Sequence, residues 1–257
     1  MESDIGRLPS HVREGLVAFI GESPETVLAI HALQSRLGRA WASGPSPQAV
    51  IVESALVPGE PQGFGDPASL LDLLVRAEGW SCIELTPEVA DDMADDFERR
   101  WGIARFQGPA RRVIDVIGVS DQSPRVKAHP LVRQLRTSDL SRLSVASDDT
   151  LPDRRVVERA AALGRVFVAV DGDSIVGHGS SFAASTTYAD IGVFVAESHR
   201  GQGIATCAAA LACEAVRAAG LVPVCGAGSD NHASLRVAAK LGFSEVTRLV
   251  FLVPGGR

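Results

Sequence analysis

The sequence predicts an α/β protein built in two halves. Apolar residues recur at every second position in some segments and at every third or fourth in others, and the two patterns alternate along the chain. Asp171-Gly172-Asp173 separates two apolar runs, a strong hairpin signal. A glycine turn, Gly201 to Gly203, joins a strand-like run to an alanine-rich helical one. The chain has 257 residues, 46% hydrophobic and 22% charged. That suits a globular protein with one large core or two smaller ones.

In the first half, Ser23-Pro24-Glu25 reads as a helix start. It has a capping serine, a proline whose missing N–H costs nothing there, and an acid in the first turn. Val27, Ile30, Leu33 and Leu37 follow at helical spacing. Ala49 to Val57 is apolar enough to be a strand. Pro58-Gly59 and Gly63-Phe64-Gly65 mark a loop. Ala68 to Glu78 is helical, with Leu70, Leu71, Leu74 and Val75 on one side. Ser81 to Leu85 reads as a strand, Pro87 to Arg100 as an acidic surface helix, and Val113 to Val119 as another strand. No catalytic motif stands out in this half.

The second half is more sharply patterned. A short strand at Leu131 to Leu135 is followed by a helix start at Ser138-Asp139 and a second helix from Pro152 to Ala162. Strands at Val166 to Val170 and Ile175 to Phe182 flank the Asp-Gly turn. Tyr188 to Ala196 is the strand before the glycine turn. Ile204 to Ala219 is the helix after it, stopped by Gly220. A strand at Val222 to Cys225, a helix at Asn231 to Lys240 and a last strand at Phe243 to Val253 complete the chain.

The net charge of −6 is unevenly spread. Residues 1–125 carry 11 arginines against 19 acids, and residues 126–257 carry a slight basic excess. Trp41, Trp80 and Trp101 all lie in the first half. This contrast, with the polar stretch Ser120 to Pro124, places a domain boundary between residues 125 and 126. An acidic half does not suit nucleic acid. No apolar run approaches the ~18–20 residues that span a bilayer. Met1 to Leu16 lacks the apolar centre of a secretory signal. A cytoplasmic protein with no membrane partner is therefore expected. Cys82, Cys207, Cys213 and Cys225 have neither metal-ligand spacing nor a disulfide framework, so they read as small buried side chains and no metal is expected.

Arg200-Gly201-Gln202-Gly203-Ile204-Ala205 is the most informative run. A tight turn opening a helix leaves several backbone N–H groups unpaired and pointing one way. Their dipoles attract an anion, and glycines let a phosphate approach the backbone. Arg200 adds a charge-assisted contact. The run reads as a pyrophosphate cradle. A Walker A loop is excluded, since the only lysines are Lys127 and Lys240. A dinucleotide fingerprint fails at Thr206, where its third glycine should stand.

Arg-x-x-Gly-x-Ala after a strand resembles the acetyl-CoA-binding motif of the GNAT (Gcn5-related N-acetyltransferase) superfamily. Asn231-His232-Ala233-Ser234 running on to Lys240-Leu241-Gly242-Phe243 resembles the helix that closes that superfamily's cofactor site. The resemblance covers roughly residues 126–255. It implies a mixed sheet flanked by helices, acetyl-CoA as acyl donor, and a pyrophosphate held by Arg200, Gly201, Gln202, Gly203, Ile204, Ala205 and Thr206. It also implies that Asn231 and Ser234 complete the cofactor site. Backbone groups around Val193, Phe194 and Val195 would bind the pantetheine arm and polarise the thioester. The N-terminal α/β half is open to reading as a degenerate copy of the same fold, although no second Arg-x-x-Gly-x-Gly/Ala run occurs there.

Transfer to an amine needs a base and a proton for the departing thiolate. Asp190, on the strand before the cradle, and His178, on the preceding strand, are the candidates for the base. A solvated acid and a buried histidine are the plain alternatives. Asn231 suits a helix cap as well as a cofactor contact. Glu197, His199 and His232 are expected at the surface. Many GNAT enzymes place a proton-donating tyrosine where this chain has Ala238, and the only tyrosine here is Tyr188. Ser234, Cys225 or water would then serve. No nucleophile stands with a histidine partner in a recognisable arrangement, so direct attack in a ternary complex is expected. The expected function is N-acetylation of a primary amine on a small molecule. A protein or peptide acetyltransferase and a non-catalytic acyl-CoA-binding module are the alternatives. The first half is left to shape the acceptor pocket, and the oligomeric state is not legible.

Overall fold

Strands and helices alternate through residues 2–102, 112–120, 126–140 and 154–255, which the computed structural model describes. The chain divides into two compact units, Met1–Ile117 with Thr247–Arg257, and Gly118–Val246. The last eleven residues thus belong with the first unit, whereas the boundary expected at 125/126 grouped them with the second half. Residues 121–124 of the expected linker, and the start of the helix expected at Pro152, lie outside the described residues.

The first unit runs β1 (Glu2–Asp4), α1 (Ser10–Ile20), α2 (Val27–Ser35), β2 (Gly38–Ala42), β3 (Ala49–Ser54), β4 (Gln62–Gly65), α3 (Pro67–Arg76), β5 (Ile83–Leu85), α4 (Pro87–Trp101) and β6 (Arg112–Val119). Ser23-Pro24-Glu25 opens a single 3-10 turn before α2, where the Ser23 N–H donates to the Thr26 hydroxyl at 3.0 Å. Helix α1 was not foreseen, because its charged residues mask Val12, Leu16, Val17 and Ile20 at helical spacing. Gly63-Phe64-Gly65, expected as a loop, is strand β4. A Cβ on Gly63 would stand 2.7 Å from a Leu85 methyl and 2.9 Å from an Ile83 methyl, so this glycine reports crowding and not a turn.

The second unit runs β7 (Val132–Gln134), a 3-10 turn (Thr137–Asp139), α5 (Arg154–Ala162), β8 (Val166–Asp171), β9 (Ser174–Ser180), β10 (Tyr188–Asp190), β11 (Gly192–Val195), α6 (Ile204–Ala218), β12 (Val222–Gly228) and α7 (His232–Lys240). Strand β13 (Ser244–Leu252) follows and continues past Val246 into the first unit.

Strand order in the first unit is β1-β2-β3-β4-β5-β13-β6. Its pairs from β1 to β4 are antiparallel, and β4 and β5 are parallel. Val250 sits opposite Leu85 and Leu252 opposite Ile83. Both residues of β13 join the core of Leu70, Leu74, Phe97 and Trp80. Burying two such side chains contributes about 1.5–3 kcal/mol each.

In the second unit β11-β9-β8-β7 form an antiparallel sheet, and β10 pairs in parallel with β12. Helix α6 packs Ala209, Ala212 and Val216 against Ala189 and Ile191. Val157 and Ala160 of α5 pack against Val166 and Val168. Residues 133 and 139 lock the start of this unit. Arg133 donates twice to Asp139, at 2.6 and 2.8 Å, and the buried carboxylate raises the guanidinium's proton affinity.

The two units share one plan. Each has a strand, helical turns, a three-strand meander, a helix, a strand parallel to the end of the meander and a further helix. This order of elements contains the mixed sheet expected from the sequence and agrees with the degenerate N-terminal copy that the sequence left open.

Candidate functional site

The site begins where one extended run changes partners. Tyr188 to Asp190 lies opposite Val222 to Val224 in parallel, and Gly192 to Val195 lies opposite Ser180 to Gly177 in antiparallel. Between them the Ile191 N–H donates to the Val224 carbonyl at 2.7 Å. Backbone groups alternate in direction along a strand. The amides of Val193 and Val195 therefore repeat the direction of Ile191 but lie past the end of that pairing. Val193, Phe194 and Val195 border a groove of about 610 Å³.

Arg200 to Gly203 form the next wall of the groove. Gly201 and Gly203 have φ of +79° and +89°, the left-handed region that glycine enters freely. No atom lies within 4 Å of where a Cβ on either would stand. Gly203 caps α6 without any side-chain hydrogen bond. The first bond closing the helix runs from the Cys207 N–H to the Gly203 carbonyl, at 3.0 Å. The N–H groups of Ile204, Ala205 and Thr206 precede it and are the orphan donors of this helix end. All three residues border the groove, as do Arg200, Gly201 and Gly203; Gln202 does not. The Arg200 Nε donates to the Val195 carbonyl at 3.2 Å, tying the cradle to the parted strand.

Helix α7 is the opposite wall. The Asn231 side chain accepts from the Ser234 N–H at 3.1 Å, so it caps this helix, and both residues also border the groove. Ala233, Arg236, Val237 and Lys240 border it too, at the i, i+3, i+4, i+7 spacing of one helix face. Arg236 and Lys240 were missed in the sequence, although their four-residue spacing within the motif helix is the signal that finds them. His199, expected at the surface, also borders the groove. Its ring lies 3.1 Å from Asp171 Oδ2 and 2.8 Å from the Ser198 hydroxyl.

This order of parted strand, glycine cradle and closing helix is matched by a family model for GNAT acetyltransferases over residues 156–252. The C-terminal half is a GNAT domain. Solved structures similar to this chain extend the likeness of fold to its whole length. A GCN5-related N-acetyltransferase-like protein from Streptococcus suis 89/1591 is 20% identical, with 95% of this chain and 99% of that one covered and a TM-score of 0.62. An acetyltransferase from the GNAT family from Colwellia psychrerythraea is 15% identical, with 98% and 96% covered and a TM-score of 0.59. A tandem GNAT protein from the clavulanic acid biosynthesis pathway is 16% identical, with 97% and 98% covered and a TM-score of 0.56. No curated protein matches the chain by sequence.

Within the GNAT domain neither candidate base borders the groove. Asp190 is half-buried, and desolvation pushes its carboxyl up to about 6 despite a backbone hydrogen bond at Ile191. His178 is buried opposite Phe194, with its ring centroid 6.1 Å from those of Phe182 and Phe194 and its Nδ1 3.2 Å from the Ser180 hydroxyl. Paired residues share a face of the sheet. His178, Phe194 and, two positions back from Gly192, Asp190 therefore lie on the same side of the strands. The Cys225 thiol is pushed up to about 12 by burial, with Asp190 and Cys213 adding to the shift. A thiol held that high is a poor proton donor to a departing thiolate. Ser234 and Thr206 are the side-chain hydroxyls that border the groove.

Among its described residues the first unit lacks the cradle. Only Asp66 separates β4 from α3, and its carboxylate accepts from the Ser69 N–H at 2.8 Å, which also lowers its pKa. A carboxylate thus occupies the helix end that an external anion would use. Strands β4 and β5 stay bonded, with Gln62 opposite Glu84 and the Glu84 N–H donating to the Pro61 carbonyl at 2.9 Å. Leu70, Ile83 and Leu85 fill the space beside Gly63.

Proposed function

We propose that the GNAT domain transfers an acetyl group from acetyl-CoA to a primary amine on a small molecule by direct attack in a ternary complex. The observation that carries this reading is the uncapped α6 N-terminus with two open left-handed glycines, set at the end of a strand that has left its parallel neighbour. The cradle amides and Arg200 hold a pyrophosphate, and the freed amides of Val193 and Val195 hold the pantetheine arm. Asn231 caps α7 and keeps Ser234 at the groove. Acetyl-CoA supplies an activated acyl group, and the chain's part is to orient it and accept the amine's proton.

Asp190, with its pKa pushed up to about 6, suits a base near neutral pH better than an ordinary carboxylate does. Direct attack fits the cysteines: Cys82, Cys207 and Cys213 are buried, and Cys225 is held protonated. The reading places the reaction in the cytoplasm, without nucleic-acid or membrane partners. Calorimetric binding of acetyl-CoA followed by a thiol-release assay across a panel of amines tests it. Binding without release for any amine replaces it with the second reading, a non-catalytic acyl-CoA-binding module. Ala238 at the usual tyrosine position favours that second reading.

A further inference from the structure

Gly192 opens β11 without the usual reasons for a glycine. Its φ lies outside the left-handed region. Gly179, on the neighbouring strand, is a glycine because a Cβ there would stand 2.4 Å from the Ala208 backbone of α6. At Gly192 a Cβ would meet no described atom within 4 Å. A strand glycine that neither turns the chain nor is crowded by it leaves room for a ligand to approach the backbone.

The surroundings of that opening are specific. Ile191 and Val193 pack beneath α6, so position 192 faces the other side of the sheet, between Asp190 and Phe194. Opposite Gly192 lies the fully buried Ser180, and opposite Phe194 lies His178. The Asp190 N–H donates to the Ala183 carbonyl at 3.0 Å, which brings Phe182 alongside Asp190. Phe182 belongs to the cluster under α5, on this same side, with its ring centroid 6.1 Å from that of His178. The floor at Gly192 is thus bordered by a carboxyl, a hydroxyl and aromatic rings. Arg133 stands in the same cross-strand row as His178, but with β8 between them, and it already donates twice to Asp139.

We infer that the acceptor's nitrogen is received over Gly192, and that the acceptor is a primary amine with a flat apolar body and no second charge. This rests on the acetyltransferase reading. Phe194 borders the coenzyme groove as well as this floor, so a nitrogen over Gly192 stands between the acyl end of the arm and Asp190. The nitrogen bonds to the thioester carbon, the carbon–sulfur bond breaks with its electron pair going to sulfur, and the amine's surplus proton passes to Asp190. The body of the acceptor lies against Phe182 and Phe194. A carboxylate beside the amine, or a second ammonium, would lose its water here without an opposite charge among the described residues of this face, which costs more than the rings return.

The test is a thiol-release assay with acetyl-CoA on the full chain, with phenethylamine, phenylalanine, butylamine and 1,4-diaminobutane as acceptors. The kcat/KM for phenethylamine should exceed that for butylamine roughly 10-fold, the worth of one aromatic contact. It should exceed those for phenylalanine and the diamine by roughly 100-fold, as an unpaired desolvated charge demands. Gly192→Ala should lower kcat/KM for phenethylamine by roughly 10–100-fold. Its calorimetric affinity for acetyl-CoA should be unchanged, which also reports a folded groove. Phe182→Leu should remove most of the lead of phenethylamine over butylamine. Phenylalanine or the diamine as the preferred acceptor, or butylamine equal to phenethylamine, overturns the acceptor class and leaves acetyl transfer standing. A Gly192→Ala chain with wild-type kcat/KM overturns the place over Gly192. Binding of acetyl-CoA without release for any amine removes the transferase reading, and the acceptor class with it. Should Gly192→Ala not fold, the wild-type ranking and Phe182→Leu decide.

Discussion

The Ile191 N–H donates to the Val224 carbonyl at 2.7 Å, and one residue later the same run of chain is bonded to β9 instead. That change of partner frees backbone amides on a strand whose side chains remain packed. Ile191 and Val193 still belong to the core beneath α6. The site is therefore made of main chain on a rigid support, and side chains at the cradle matter mainly by being absent.

Gly203→Val should abolish acetyl-CoA binding, with at least a hundredfold loss of affinity. A β-branched side chain resists φ of +89° and would fill the open space in front of the α6 amides. Calorimetry showing unchanged affinity in a folded variant rules out this place for the coenzyme.

Asp190→Asn should lower the turnover rate by roughly 10²–10⁴ while leaving acetyl-CoA binding intact. Because the carboxyl is raised from 3.8 to about 6, it is ionised and able to accept a proton only above about pH 6, so the wild-type rate should climb through that pH. Stability should move the other way. A raised folded-state pKa makes a stabilising contribution that is complete below about pH 4 and is lost as the pH rises through about 6. Melting curves of wild type and variant that change in parallel between pH 4 and 7 would remove the desolvated Asp190 carboxylate from the account.

Titration of the full chain should give one coenzyme per polypeptide. The α3 N-terminus carries its own carboxylate, Asp66, and the neighbouring strands have not parted. A stoichiometry of two sinks this reading of the first unit.

Leu252→Ala should destabilise the protein by about 2–5 kcal/mol, as removal of a fully buried core side chain does. Chemical denaturation measures it. By the same packing, a fragment of residues 126–257 would carry Val250 and Leu252 without the strand that covers them, and should be poorly soluble. A fragment that is monomeric and fully soluble contradicts the assignment of β13 to the first unit.

Much of the site was legible because its chemistry is local. Gly201, Gly203 and the helix after them declare a turn and its unpaired amides within six residues, and Asn231 declares a cap. The Gly172 turn between β8 and β9 is likewise local. Gly63 misled because a glycine marks tight packing as readily as a turn, and only Leu85 and Ile83, twenty residues on, decide between them. The break at Ile191 was invisible because alternation shows that a segment is a strand and not which strand it joins. His199 was placed at the surface for want of Asp171, which is distant in sequence. The partner of β13 was hidden for the same reason.

The position of β13 also governs when the molecule can be finished. Translation delivers the first unit's helices and its strands β1 to β6 before the second unit, but the strand that bonds to β5 only after it. Until then Ile83 and Leu85 border an unfilled place in the sheet, through the whole synthesis of the GNAT domain. The first unit does not follow the usual order in which an N-terminal domain is completed first. Its closing contact spans most of the chain, which makes it slow to form, and a nascent chain stalled in the second half exposes an open strand edge.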